Sequence, residues 1–104
     1  MNMSSGDSGL LRLGRILRGG RKRQGLKVID VADELQLDAG HIVELEAGRC
    51  RPTLTTLLRL LLIYDLAPMD IQREVGQGDP ELNSLLRQSM LPYSLYLAVA
   101  GSNQ

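Results

Sequence analysis

Aromatic residues and cysteine are scarce in this chain of 104 residues. It has no Trp, no Phe and only three Tyr, so its core has to be built mainly from Leu, Ile and Val. Such a core suits packed α-helices. Cys50 is the single cysteine, which excludes a disulfide within the chain and fits the reducing cytoplasm.

Long hydrophobic runs are also absent. The most apolar stretch, residues 57–66, contains Arg59 and Asp65 and is much shorter than the ~20 residues that a membrane-spanning helix needs. The N-terminus is polar, and its first apolar residues are interrupted by Arg12, Gly14 and Arg15, unlike a signal peptide. We therefore expect a cytoplasmic protein with no membrane partner.

No catalytic or metal-binding set stands out among the polar residues. His41 and Cys50 are single residues of their kinds and do not form a ligand cluster. Gly14, Gly19 and Gly20 lie within a basic helical pattern and do not follow a strand, so they do not form a nucleotide-binding loop. We predict a non-enzyme without a cofactor.

The charges are balanced in number, with 12 basic and 12 acidic residues, but they are segregated along the chain. Residues 12–27 contain only basic charges, residues 28–46 contain only acidic ones, and Arg49 and Arg51 restore the positive sign. Segregation of this kind bears on binding partners more than the net charge does. A solvated helix face remains the plainer interpretation of the basic run.

Residues 28–52 have the pattern of two short helices joined by a tight turn. Asp38 stands at the expected N-cap of the second helix, where its carboxylate could accept a backbone N–H. Gly48 and Pro52 mark the end of that helix. The pattern predicts a helix-turn-helix unit, with apolar contacts from Val31, Ala32, Leu35, Leu37, Ile42 and Leu45.

Periodicity and capping signals predict further helices on both sides of this unit. We expect a disordered tail at residues 1–9, a helix-turn-helix domain at 10–75 and a C-terminal extension at 76–104. Residues 19–20, both Gly, should fray or bend the first helix, and residues 93–100 could form a helix or a strand. The predicted helices are 10–24, Val28–Leu35, 39–47, Leu54–Tyr64, Pro68–Val75 and 81–90.

The helix Leu54–Tyr64 is apolar on almost every side, so another element has to cover it. A second copy of the chain would do so, and the extension would then be a dimerisation element. Coverage by residues 82–99 of the same chain is the alternative. The residues predicted to take part in dimerisation are Leu61, Leu62, Leu82, Leu85, Leu86, Tyr93 and Tyr96.

An ordered set of residues stands out between positions 10 and 75: Leu13, Gly14, Ile16, Arg21, Gly25, Leu26, Val31, Ala32, Leu35, Ile42, Leu45, Glu46, Gly48 and Pro52. This set resembles the lambda repressor/Cro-like (XRE) family of transcription regulators. The resemblance implies an all-α, five-helix lambda-repressor-like helix-turn-helix domain that binds double-stranded DNA, followed here by a helical extension. It also implies a bacterial or phage origin.

The resemblance also implies roles for individual residues, because the third helix of such domains enters the major groove. Arg21 and Glu46 match a structural ion pair. The base-reading positions are Asp38, Ala39, Gly40, Val43 and Glu44, and the phosphate-contacting positions are Arg23, Lys27, His41, Arg49 and Arg51.

The reading face departs from the family pattern. It has no Arg, Asn or Gln, although Glu44 could accept a hydrogen bond from a cytosine amino group. Members of the family frequently have Gln at the position of Val28 and Gly at the position of Gln36. Two hypotheses follow: a repressor-like regulator that binds an operator as a homodimer, or a helix-turn-helix protein-interaction module. The module, a co-regulator or anti-repressor, would use the acidic 28–46 face on a protein partner.

Overall fold

The computed structural model describes residues 5–75 and 79–89, which form an all-α structure without strands. The predicted contacts of Tyr93 and Tyr96, and the conformation of residues 93–100, lie outside this range. The helices of the described part are α1 (Ser5–Arg23), α2 (Val28–Leu35), α3 (Ala39–Glu46), α4 (Leu54–Tyr64), α5 (Pro68–Val75) and α6 (Pro80–Ser89).

Local signals explain most of these bounds. The helices α2, α4 and α5 begin and end where the sequence predicts, and α3 ends one residue earlier, with Ala47 as its C-cap. Thr53 caps α4, since its side-chain oxygen accepts the N–H of Thr56 at 3.2 Å. The predicted side-chain cap of α3 is wrong, because Asp38 occupies the N-cap position without making a side-chain hydrogen bond there.

The first helix is longer than the sequence predicts. It begins at Ser5, so the expectation of a disordered tail is wrong for residues 5–9. Gly9 is buried, and a Cβ atom there would lie 2.9 Å from the Cβ of Asp79, which brings this turn of α1 against the start of α6. The helix also continues through Gly20, where a Cβ atom would lie 2.9 Å from the Cβ of Tyr64. Gly20 therefore permits close packing of α1 on α4.

The hydrophobic core includes side chains from all six helices. Three residues predicted to form a dimer contact, Leu61, Leu82 and Leu86, are only 3%, 0% and 0% exposed within a single chain. That part of the prediction is wrong, because α6 packs on α4 and α5 and itself covers them. Residues 79–89 thus belong to the same core as the helix-turn-helix domain. Leu85 is half-buried, whereas Leu62 is 64% exposed.

None of the helices in the described part of the chain is long and apolar enough to cross a membrane.

Candidate nucleic-acid interface

The helices α2 and α3 pack through buried apolar side chains and are joined by a short turn. Gln36 adopts the left-handed conformation with φ 57° and ends α2. The N–H of Leu37 then donates to the carbonyl of Ala32 at 2.9 Å, which closes the turn. Val31 and Leu35 of α2 and Ile42 of α3 are almost fully buried. This packing fixes the direction in which α3 leaves the turn.

The helix α1 holds the other end of α3. Gly14 packs so closely on α3 that a Cβ atom would lie 2.8 Å from the backbone carbonyl carbon of Glu46 and 2.9 Å from the carbonyl oxygen of Leu45. A residue without a side chain is therefore needed at this crossing. Because the contact is between backbones, it fixes the distance between α1 and α3 closely.

The predicted pair of Arg21 and Glu46 lies beside this contact. The Arg21 Nε donates to Oε2 of Glu46 at 2.6 Å and its Nη2 donates to Oε1 at 3.0 Å, while Nη1 donates to the carbonyl of Leu26. Both side chains are about nine-tenths buried, and the hydrogen bond to Glu46 raises the pKa of Arg21 further. Two parallel bonds of this kind restrict orientation as well as distance, so they anchor the C-terminus of α3 to α1.

The outer face of α3 is accessible and begins with small residues. Gly40 and His41 are exposed, Val43 is 48% exposed, and Ala39 and Glu44 are half-buried. A Cβ atom at Gly40 would have no neighbour within 4 Å, so the backbone there faces open space. The helix therefore presents its predicted base-reading positions on a surface that another molecule can approach.

Arg49 folds back on α3 from the loop that follows it. Its backbone N–H donates to the carbonyl of Glu44 at 3.0 Å, and its Nη1 lies 3.2 Å from Oε2 of the same residue. The ion pair is open to solvent, with 68% of the Arg49 side chain and 44% of the Glu44 side chain exposed. A predicted phosphate-contacting residue is thus paired with a predicted base-reading residue.

Arg51, also predicted to contact phosphate, is held by α6. Its guanidinium lies 2.9 Å from Oδ1 of Asp79 and 2.9 Å from Oε1 of Glu81. The same Oδ1 of Asp79 accepts the N–H of Leu82 and so caps α6. Burial acts to raise the pKa of Asp79, but the bonds from Arg51 and from the backbone lower it on balance. In this structure the charge of Arg51 is largely compensated by carboxylates.

The other predicted phosphate-contacting residues lie on separate elements. Lys27 is exposed just before α2, where its backbone N–H donates to the carboxylate of Asp30 at 2.9 Å. Arg23 lines a groove between α1 and α5 together with Asp65 and Asp70. Together with His41 on α3, the predicted phosphate-contacting positions are thus distributed over several elements of the fold.

The sequence does not signal two further contacts, of which the first supports the unit and the second joins α1 to α5. Arg59 of α4 donates to the carbonyl of Glu34 at the end of α2 at 3.1 Å, and Arg12 of α1 donates to the carbonyl of Glu74 at 3.1 Å. Their partners lie far away along the chain and are backbone atoms, so no spacing of residue types could reveal them.

The described residues do not bring together three or more groups that could hold a metal ion. Cys50 is half-buried, and burial, with the nearby charge of Glu44, raises the pKa of its thiol. A thiol with a raised pKa is a poor nucleophile.

Two packed helices, a tight turn and an accessible second helix define a helix-turn-helix unit of the DNA-binding class. Comparison with protein families agrees, since a family described as a helix-turn-helix domain matches residues 12–73, more than half of the chain. The chain belongs to this helix-turn-helix family. Neither the curated proteins nor the solved structures contain a match.

Proposed function

We propose that this protein is a repressor-like transcription regulator that binds a specific operator as a homodimer in the cytoplasm of a bacterial cell. The gene would be bacterial or phage-borne. The proposal assigns no catalytic activity and no cofactor to the chain. The repressor role, the operator and the homodimer go beyond family membership, and we argue them from the chemistry of the exposed residues.

The observation that carries the proposal is the accessible face of α3. Its N-terminal half has small side chains at Ala39 and Gly40, so the helix backbone can come close to the edges of base pairs. Val43 would meet a thymine methyl group and Glu44 would accept from a cytosine amino group. A face with small side chains and hydrogen-bond acceptors suits entry into a groove.

Phosphate contacts would come from exposed cations around this face. Lys27 precedes α2, His41 lies on α3 and Arg49 follows α3, and all three are exposed. Arg51 would contribute only if a phosphate displaced Asp79 and Glu81 from its guanidinium. Such contacts position a protein on DNA without reading its sequence.

A homodimer would supply the second half of the recognition surface, because one helix-turn-helix unit reads half of a two-fold symmetric site. Of the residues that were predicted for dimerisation and lie in the described part of the chain, Leu62 has the highest fractional exposure, 64%. We propose Leu62 as the contact, and Leu62→Asp should yield a monomer in light scattering.

The deciding experiment is fluorescence anisotropy with DNA fragments from the region upstream of the gene, titrated at two salt concentrations. We expect tight binding to one fragment, which salt weakens steeply because bound phosphates release counterions. Weak and equal binding to every fragment would contradict the proposal.

A matched pair of variants separates a local contact from a change in net charge. The side chains of Arg49 and Arg73 are 68% and 70% exposed. Arg49 pairs with the carboxylate of Glu44 and Arg73 with that of Asp70. Arg49→Ala should weaken DNA binding and flatten its salt dependence. Arg73→Ala removes the same charge from α5 and should leave the affinity almost unchanged.

The alternative, a protein-interaction module, is favoured by one specific surface. On α2, Ile29 is 54% exposed beside the exposed acidic residues Asp30, Asp33 and Glu34. An apolar residue rimmed by one sign of charge suits a basic partner protein and would be repelled by DNA phosphates. If a protein is bound, Ile29→Asp should abolish the complex in a pull-down, while Arg49→Ala should have little effect.

A further inference from the structure

We propose that Arg49 is a positioning residue, which holds the carboxylate of Glu44 so that it recognises a cytosine amino group in the major groove. The inference rests on the proposed DNA-binding function and deepens it. It assigns the base preference of α3 to a pair of residues and gives Arg49 a role in specificity, in addition to any contact with phosphate.

The backbone determines where Arg49 lies. Gly48 has φ +74°, a backbone conformation that residues other than Gly rarely adopt. A Cβ atom there would lie 2.8 Å from the Cα of Leu11. The chain therefore turns sharply against α1 immediately after α3. This turn returns the N–H of Arg49 to the carbonyl of Glu44 at 3.0 Å.

The side chains of the two residues make a second link. Nη1 of Arg49 donates to Oε2 of Glu44 at 3.2 Å. This bond engages Oε2, and the Glu44 side chain is 44% exposed, so its Oε1 is open to a further donor. One backbone and one side-chain hydrogen bond between the same two residues restrict the rotamers that Glu44 adopts.

The chemistry of the free oxygen selects cytosine. A carboxylate only accepts hydrogen bonds, and in the major groove only cytosine and adenine offer an amino group. The amino group of adenine lies between two acceptors, its own N7 and O4 of the paired thymine, and both repel a carboxylate. That of cytosine has an acceptor on one side only, O6 of the paired guanine. Arg49 also compensates the negative charge that Glu44 would otherwise bring close to the phosphates.

The pair is suited to a specificity role because the fold does not depend on it. The Arg49 side chain is 68% exposed and that of Glu44 is 44% exposed, and ion pairs open to solvent add little to stability. Arg49→Ala should therefore fold like the wild-type protein, which a melting curve would check. A change in base preference in this variant would then report on positioning and not on unfolding.

The test is selection of binding sites from a pool of random DNA duplexes, with the full chain as wild type and as Arg49→Ala, Arg49→Lys, Glu44→Gln and Arg73→Ala. We expect the wild type to prefer cytosine at one position of each half-site by about fivefold or more. Arg49→Ala should reduce this preference to about twofold or less, and Arg49→Lys should restore part of it. Glu44→Gln should shift the preference to adenine, which a glutamine side chain binds through two hydrogen bonds.

The outcomes distinguish this inference from the proposed function. If Arg49→Ala binds all sequences more weakly but keeps the cytosine preference, Arg49 is a phosphate contact and the inference is wrong, while the regulator stands. The same conclusion follows if Glu44→Gln leaves the preference unchanged, or if Arg73→Ala alters it as much as Arg49→Ala does. If the wild type enriches no sequence at all, the inference and the proposed function both fail.

Discussion

Gly14 should be among the residues of this fold that tolerate substitution least, although it lies in the middle of a helix. Alanine normally stabilises an exposed helix position by about 1 kcal/mol relative to glycine. At Gly14, however, the added methyl group would overlap the carbonyl oxygen of Glu46 and come within 2.8 Å of its carbonyl carbon. These are backbone atoms, so no side-chain rotation relieves the overlap.

The cost follows from the packing around this contact. Relief requires α1 and α3 to move apart, and overpacking of this kind costs about 1–3 kcal/mol or more. The same movement would stretch the hydrogen bonds between Arg21 and Glu46, now 2.6 and 3.0 Å long. After allowance for the helix propensity of alanine, we expect Gly14→Ala to lose about 2 kcal/mol of unfolding free energy. In a domain of this size that corresponds to a fall in Tm of about 8–16 °C.

Gly19→Ala is the matched control in the same helix. The nearest atom to its added methyl group would be Nη1 of Arg23 at 3.5 Å, which is ordinary contact with a flexible side chain. This variant should gain about 0.5–1 kcal/mol. Thermal and urea unfolding followed by circular dichroism would measure both variants. Equal or higher stability of Gly14→Ala relative to the wild type would refute the close backbone contact between α1 and α3.

Three further predictions concern buried polar groups. Glu46→Ala leaves the guanidinium of Arg21 without its carboxylate at a site about nine-tenths buried, so it should cost about 3 kcal/mol in urea unfolding, whereas Glu74→Ala at an exposed position should change stability by less than about 0.5 kcal/mol. The hydroxyl of Tyr64 is buried without a hydrogen-bond partner in the described part of the chain, and its pKa is raised to about 12, mainly by burial. Tyr64→Phe should therefore match or exceed wild-type stability by up to about 1 kcal/mol, and a loss of more than that would reveal a missed partner. The folded-state pKa of Asp79 is lowered, so its carboxylate stabilises the fold at neutral pH. This contribution should be lost as the pH falls from about 4, the unfolded-state pKa, through the lower folded-state pKa. Urea midpoints should fall over this range in the wild type and fall less in Asp79→Asn, and an equal fall in both proteins would exclude the assignment.

The helical elements could be predicted from the sequence because their signals are local. The bounds of α2, α4 and α5 agree with the prediction, since caps, proline positions and apolar periodicity act within a few residues. The pairing of Arg21 with Glu46 was expected from the resemblance to a family, since spacing alone does not identify partners that are distant in sequence.

The covering of α4 could not be predicted in this way. The sequence showed that its leucines need a partner, and a second copy of the chain and the C-terminal extension satisfied that need equally well. Only the tertiary structure shows that Leu82 and Leu86 of α6 fill this role within one chain. Periodicity identifies the face of a helix that is buried, but the apolar pattern does not show which element covers that face.

The ion pairs of the site residues were also decided by the tertiary structure. The sequence by itself determined that a turn joins two helices, and that Glu44, Arg49 and Arg51 lie at the end of the second. Which carboxylate each arginine meets depends on the tertiary structure, because Asp79 is brought to Arg51 by the packing of α6, whereas Glu44 and Arg49 meet through the turn at Gly48. Hydrogen bonds act over about 3 Å, so the availability of a charge for DNA is set by distances that only the folded chain defines.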